Sequence, residues 1–142
     1  MATHTDQKLE LLKRTPLLAQ LGRHELEEVG RLADEVDVPA GKVVMRQGDT
    51  GHEFFVLVDG SVRIDRNGTR IRDLGPGDHF GEIALLSEGP RTATATAEEP
   101  TKLLVLGHRE FHSLMSQYPS IQTSVLDCLA SRLRDLEPEA AH

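Results

Sequence analysis

The chain has 142 residues, of which 38% are apolar and 27% charged, and its formal net charge is −7. This length and composition predict a single folded domain over residues 1–142. The acidic balance argues against nucleic-acid binding, which needs a basic face. The apolar stretches, such as Phe54–Val58, are far shorter than the roughly 20 residues that cross a bilayer. We therefore expect no membrane span, and the N-terminus lacks the apolar block of a secretory signal, which predicts a cytoplasmic protein.

The first part of the chain predicts two short helices within about residues 6–33. Leucines recur near helical spacing up to Pro16, and a second run at helical spacing extends from Leu26 to Ala33. From Val36 onward, short apolar or alternating runs are separated by turn-forming residues. This pattern favours a small antiparallel barrel or jelly roll over about residues 34–107.

Three strands of this barrel can be predicted individually. Asn67-Gly68 predicts a two-residue type I′ turn, because both residues tolerate the positive φ that this turn requires. We therefore expect Ser61–Arg66 to pair with Thr69–Leu74. The alternation of Thr and Ala over Thr92–Ala97 predicts a further strand.

Helical spacing returns after Gly107 and predicts two closing helices over about residues 108–137. Tyr118-Pro119 separates them, and Ser120 is the expected N-cap of the longer one. The leucine stripe of this last helix could form a homodimer or pack on the barrel. The single cysteine, Cys128, lies within the stripe and is expected to be a thiol in or near the core.

The segment from Gly75 to Thr94 has the features of an anion site. Gly81 allows a ligand to approach the main chain, and residues 82–87 have the length of one or two helical turns, whose first amides attract an anion. Arg91 follows, and its guanidinium could hold a phosphate through two parallel hydrogen bonds. Glu82 is useful if the ligand also offers hydroxyl donors, as a ribose does. A nucleotide monophosphate meets both requirements.

Phe80-Gly-Glu-Ile-Ala-Leu with Pro90-Arg91-Thr92-Ala93 closely resembles the phosphate-binding cassette of the cyclic-nucleotide-binding domain family, which includes proteins like catabolite activator protein and the protein kinase A regulatory subunit. The turns Gly48-Asp49, Asp59-Gly60-Ser61-Val62 and Gly77-Asp78 match as well. The resemblance implies a mainly β fold with flanking α-helices. In it, an eight-stranded antiparallel, jelly-roll-like β-roll follows N-terminal helices, contains a short helix within the cassette at 80–92, and is closed by two C-terminal helices.

The resemblance also implies roles for individual residues. Arg91 is expected to pair with the exocyclic oxygens of a cyclic phosphate, and Glu82 to accept a hydrogen bond from the ribose 2′-hydroxyl. The implied main-chain donors are the amides of Gly81, Ile83 and Ala84. Thr92 stands near both phosphate and base. The positions implied for the base and its helical lid are Ile64, Ile71, Arg72, Arg132, Leu136 and Glu137.

Several alternatives remain open at this point. Arg91 and Glu82 could form a structural ion pair on a barrel surface, or the chain could keep the fold without a ligand and bind only protein partners. His79 could belong to a metal-dependent cupin-like enzyme, but Gly81 stands where that class needs a second histidine. His108 and His112, four residues apart, are predicted to be solvated helix residues rather than metal ligands. We find no catalytic constellation and expect no enzyme, metal or cofactor.

The expected function is that of a sensor for a cyclic nucleotide, with cAMP favoured over cGMP. Ligand at the cassette would shift the population toward a state in which the last helices cover the base. The sequence ends at His142, so DNA binding by this chain alone is not expected. It would act on an effector protein or belong to a longer chain with a fused output domain.

Overall fold

A computed structural model of the protein describes residues 4–15, 18–81, 84 and 89–136, and only the main chain of residues 4–6, 132, 133, 135 and 136. Helices flank a central group of strands. The helices are α1 (His4–Arg14), α2 (Arg23–Leu32), α3 (His108–Gln117) and α4 (Pro119–Leu136). The described residues contain ten strands: β1 (Asp34–Val38), β2 (Val43–Met45), β3 (Thr50–Gly51), β4 (Glu53–Asp59), β5 (Val62–Arg66), β6 (Thr69–Leu74), β7 (His79–Phe80), β8 (Gly89–Pro90), β9 (Thr94–Ala97) and β10 (Thr101–Gly107).

The strands form two four-stranded sheets and a small two-stranded one. Their orders are β1-β10-β4-β7, β2-β9-β5-β6 and β3-β8. Their pairs are antiparallel. The predicted fold class, a β-roll between N-terminal and C-terminal helices, is confirmed. The described residues contain ten strands rather than eight, and three of them, β3, β7 and β8, are only two residues long.

Two strands, β4 and β10, are buried on both faces and divide their side chains between two apolar clusters. The helical cluster joins residues of the four helices to side chains on one face of these strands, namely Phe54, Val56, Leu104 and Leu106. The roll cluster lies between the two large sheets and takes the alternate side chains Phe55, Leu57 and Leu103. Because successive side chains of a strand point to opposite faces, a strand between two cores is apolar throughout. This explains why Phe54–Val58 is a continuous apolar run.

The predicted hairpin is confirmed. Strands β5 and β6 pair in antiparallel register around Asn67 and Gly68, whose φ angles are 53° and 80°. The register shifts after Ile64, so that Ile71 is an extra residue on β6. This bulge determines which residues of β6 face the interior of the roll.

Two local predictions differ from the structure. The strand expected over Thr92–Ala97 begins at Thr94 as β9. The prediction of Ser120 as an N-cap is wrong: α4 begins at Pro119, and the Ser120 hydroxyl donates to Glu25 Oε2 on α2 at 2.7 Å. Proline suits the first helical position because that position has no intrahelical use for an N–H.

Across the described residues we find no helix with the length and apolarity that a membrane crossing requires.

Candidate functional site

Arg91 lies between β8 and β9, and main-chain hydrogen bonds fix its position. Its N–H donates to Asp49 O at 2.7 Å, and its carbonyl accepts from the Gly48 N–H at 2.9 Å. The adjacent strands β3 and β8 pair through Thr50 with Pro90 and Gly51 with Gly89. The main chain at Arg91 is therefore held against residues 48–49, about forty positions earlier in the chain.

The guanidinium of Arg91 occupies a seat formed by four residues, Gly51, Glu53, Phe55 and Gly81, which we call the Arg91 seat. Nη2 donates to the main-chain carbonyl of Glu53 at 2.9 Å. Cζ lies 5.7 Å from the centroid of the Phe55 ring, within the range of a cation–π contact. The guanidinium is therefore held by a cation–π contact and by one hydrogen bond.

Two glycines of the seat leave room for the arginine. A Cβ on Gly51 would overlap the Arg91 side chain at Nε, Cζ and Cδ. A Cβ on Gly81 would lie 2.9 Å from Arg91 Nη1 and 3.0 Å from Glu53 O, and the φ of Gly81 is +79°, which L residues rarely adopt. The contact with Arg91 therefore requires glycine at position 51, and contact and conformation together require it at position 81.

Phe55 is held in place by a second ring. Its register partner on β7 is Phe80, and the two rings stack with centroids 4.8 Å apart and planes 15° apart. Both belong to the roll cluster. The aromatic face of the seat is therefore continuous with the core, which restricts the motion of the ring under the guanidinium.

The electrostatics of Arg91 favour an anionic neighbour. Burial lowers the pKa of Arg91, and the negative charge of Glu53 raises it by a smaller amount. The guanidinium stays protonated because its ordinary pKa is far above neutrality. The lowered pKa reflects the cost of keeping a charge partly away from water, and an anion beside the guanidinium would offset this cost. Among the described residues, the guanidinium donates one hydrogen bond, from Nη2 to Glu53 O.

The structure places only part of the predicted cassette. Gly81 and Ala84 are described, and the Ala84 N–H donates to Gly81 O at 3.1 Å in a tight turn. In this conformation the Ala84 amide is engaged within the turn, so donation to a phosphate would require this bond to open or be shared. Glu82 and Ile83, predicted for ribose and phosphate, lie outside the described residues.

The side chain of Thr92 is exposed beside the seat. Its carbonyl accepts from Arg66 Nε at 3.1 Å, so the main chain after Arg91 is held against β5.

The three residues predicted for the base side do not share one environment. Ile64 is 6% exposed and belongs to the roll cluster, which also contains Phe55 of the seat. Arg72 is the register partner of Ile64, so the two side chains share a face of the sheet, but Arg72 is exposed. Ile71 is the bulge residue and is 43% exposed. The structure thus brings Ile64 and Arg72 together and leaves Ile71 at the surface.

For the predicted lid, the structure gives the helix but not the side chains that matter most. Arg132 and Leu136 lie in α4, with their side chains outside the described part, and Glu137 is also outside it. Earlier in α4, Cys128 and Leu129 pack against the helical cluster, whereas Leu126 is 65% exposed. Part of the leucine stripe therefore packs on the core, and Leu126 points away from it.

Sequence reasoning missed Gly51, Glu53 and Phe55 as parts of the site. Gly51 lies among residues typical of turns, and Phe55 belongs to the apolar stretch Phe54–Val58, so neither carries a binding signal of its own. Glu53 contributes through its main-chain carbonyl, which no sequence pattern marks. Sequence reasoning also predicted a solvated His108, whereas His108 is partly buried and its Nδ1 lies 2.8 Å from Ala84 O. Within the described part of the chain, no three His, Cys, Asp or Glu side chains are grouped so that they could hold a metal ion.

Comparisons with known proteins agree on one family. Residues 35–118 match the family model described as the cyclic nucleotide-binding domain. The chain is 35% identical over 133 residues to the cyclic AMP receptor protein of Thermus thermophilus, covering 90% of this chain and 62% of that protein. It is 35% identical over 127 residues to the cAMP-dependent protein kinase regulatory subunit of Blastocladiella emersonii, covering 83% of this chain and 32% of that one.

The fold has a similar counterpart among solved structures. The N-terminal domain of a transcriptional regulator from Streptomyces coelicolor A3(2) superposes with a TM-score of 0.82 at 33% identity, covering 88% of this chain and 93% of that chain. The present chain spans about a third of the Blastocladiella relative and about three fifths of the Thermus relative.

Proposed function

The chain belongs to the cyclic nucleotide-binding domain family, as its sequence motifs predicted, and on this basis we propose that it binds a cyclic nucleotide, cAMP in preference to cGMP, as a sensor module. The observation that carries this proposal is the Arg91 seat. It presents a half-buried guanidinium next to the main chain of Gly81, with its orientation fixed by Glu53 O and Phe55. Such a seat suits a singly charged phosphate, because a planar guanidinium matches two phosphate oxygens.

In the proposed complex, Arg91 pairs with the exocyclic oxygens of the cyclic phosphate and Glu82 accepts from the ribose 2′-hydroxyl. The amides of Gly81, Ile83 and Ala84 add main-chain donors, and the exposed Thr92 hydroxyl reaches the phosphate or the base. The chain's own contribution is electrostatic: a partly desolvated cation gains more from an anion than an exposed one does.

The base lies, in this proposal, toward Ile64, Ile71 and Arg72, and is covered by α4 through Arg132 and Leu136. Ligand closes these helices by binding the closed arrangement more tightly than the open one. The shift can be no larger than this difference in affinity. The preference for cAMP is supported by the names of the relatives, a cyclic AMP receptor protein and a cAMP-dependent kinase regulatory subunit.

The proposed role is regulatory rather than catalytic. The relatives of the chain are named as a receptor protein, a regulatory subunit and a domain of a transcriptional regulator. We propose that the bound state is read by an effector protein or by a fused output domain, and that the exposed Leu126 on α4 offers a point for homodimer contact. A cytoplasmic location suits the free thiol of Cys128.

Titration calorimetry with cAMP, cGMP and AMP tests the proposal. We expect cAMP to bind more tightly than cGMP, and AMP to bind most weakly. In Arg91→Ala the loss of a charge-assisted, two-point contact should weaken cAMP binding by about 2 to 4 kcal/mol.

The matched control is Arg70→Ala, which removes a roll arginine bonded to Asp73 and Glu98 away from the seat. It should leave the affinity for cAMP unchanged. Equal affinity of wild type and Arg91→Ala, or no heat of binding for any cyclic nucleotide, would contradict the proposal.

A further inference from the structure

His108 is the first residue of α3 and follows β10 without a loop. Gly107 before it provides no side-chain cap. The His108 N–H donates instead to His52 O at 2.7 Å. Its ring adds a second bond, because Nδ1 lies 2.8 Å from Ala84 O. A carbonyl oxygen can only accept, so Nδ1 carries the hydrogen.

These two bonds connect His108 to residues on opposite sides of the Arg91 seat. His52 lies between Gly51, which packs against the Arg91 side chain, and Glu53, whose carbonyl accepts from Nη2. Ala84 closes the turn that begins at Gly81, and Gly81 faces Nη1. The first residue of α3 is thus bonded to β3–β4 on one side of the seat and to the cassette turn on the other.

We propose that His108 is a positioning residue, whose ring links the cassette turn to α3 so that a displacement of this turn is passed to α3 and α4. The inference rests on the proposed function, because it names the side chain through which the phosphate site would act on the helices. The main-chain bond to His52 does not depend on the side chain, whereas the bond to Ala84 does. Replacing the side chain therefore cuts one link and leaves the other.

The first measurement uses the chain's single cysteine, Cys128, which lies on α4 and is partly exposed. We define the coupling factor as the ratio of thiol-labelling rate constants with saturating cAMP and without it. His108→Leu removes the ring donor, whereas His108→Asn keeps an N–H donor at the position nearest to Nδ1. Loss of one hydrogen bond should move the factor toward one by up to about fivefold. In His108→Asn it should stay within about twofold of wild type.

His112→Leu is the matched control. It removes an imidazole from the same helix, at a ring distance of 4.2 Å from His108, but leaves the Nδ1 donor to Ala84 in place. Its coupling factor should stay close to that of the wild type.

The second measurement needs no ligand. Amide hydrogen exchange in the free protein should be about fivefold faster at the Ala84 N–H in His108→Leu than in wild type, because the turn has lost an anchor. His108→Asn should restore the slow rate, which a general loss of packing around the imidazole would not allow.

The outcomes separate this inference from the proposed function. If calorimetry shows cAMP binding to His108→Leu and the coupling factor equals that of wild type, the inference is overturned; a wild-type factor of one with cAMP bound overturns it as well. If wild type shows no heat with cAMP, the proposed function fails. The Ala84 exchange rate in wild type and His108→Leu then tests whether His108 anchors the turn. Equal Ala84 exchange in wild type and His108→Leu would overturn the link itself.

Discussion

At the scale of single residues, the Arg91 seat explains why a guanidinium is used. Its Cζ lies over the Phe55 ring, its side chain passes close to Gly51, and one N–H donates to Glu53 O. A lysine ammonium is a compact, strongly hydrated charge that could not pack against the Phe55 ring and bond to Glu53 O in this way. The sequence predicted Arg91 because arginine beside a glycine-rich turn is a recognisable anion motif. It did not predict Phe55, whose role depends on a contact between positions 36 residues apart.

Gly51→Ala tests the closeness of the seat. The new methyl group would overlap Arg91, so the guanidinium must leave its place or the strands must separate. We expect a loss of about 1 to 3 kcal/mol in the free energy of unfolding, as in other overpacked sites. If the proposed function is correct, binding of cAMP should also weaken, because Arg91 would no longer be oriented toward the cyclic phosphate. Urea denaturation and calorimetry measure the two effects.

Gly75→Ala is the control for this substitution. A Cβ there would meet nothing within 4 Å, and Gly75 lacks a positive φ. Both the free energy of unfolding and the affinity should remain near the wild-type values. A Gly51→Ala protein that binds and unfolds like wild type would show that the seat is looser than the structure has it.

At the scale of elements, local chemistry defines some boundaries and tertiary contacts shift others. The β5–β6 hairpin was predictable because the turn requires positive φ at two adjacent residues, and Asn67-Gly68 supplies them. The start of β9 was not predictable, because the main chain of Arg91 bonds to residues 48–49 instead of joining the strand that was expected to begin at Thr92. Ser120 was misassigned because its hydroxyl is engaged by Glu25, a partner 95 residues away.

Gly68→Ala isolates the conformational contribution of the hairpin turn. The φ of Gly68 is +80°, and a Cβ would meet nothing within 4 Å, so the substitution adds strain without a clash. We expect a loss of about 1 kcal/mol in the free energy of unfolding. Gly68→Asn should lose less, because asparagine tolerates the left-handed region better. Equal urea midpoints for wild type and Gly68→Ala would contradict this account of the turn.

At the scale of the whole molecule, β4 and β10 join the helical cluster to the roll cluster. Neighbouring residues of one strand, Leu103 and Leu104, face opposite clusters and are 1% and 2% exposed. If β4 and β10 unfold, both clusters lose packed side chains at the same time. We therefore expect the helices and the roll to unfold together in a single transition.

Leu103→Ala and Leu104→Ala test this coupling. Each should lower the free energy of unfolding by about 2 to 5 kcal/mol, since each leaves a cavity in a packed core. In both variants, Tyr118 fluorescence, which reports the helices, and amide NMR signals of β5 and β9 should change at the same urea concentration. Leu126→Ala, which truncates an exposed side chain, should change stability by less than about 0.5 kcal/mol. Separate transitions for helices and roll would refute the shared core.

The sequence by itself determined the order of helices and strands, the Asn67-Gly68 turn and the family, and it predicted Arg91 as the arginine of the cassette. These follow from side-chain periodicity, turn chemistry and short motifs, all of which act over a few neighbouring residues. Only the tertiary structure decided what surrounds Arg91 and what His108 contacts. Glu53 O is 38 residues from Arg91 and Ala84 is 24 residues from His108, and both accept through main-chain carbonyls. Every residue has such a carbonyl, so no pattern in the sequence distinguishes these two until the fold brings the donors to them.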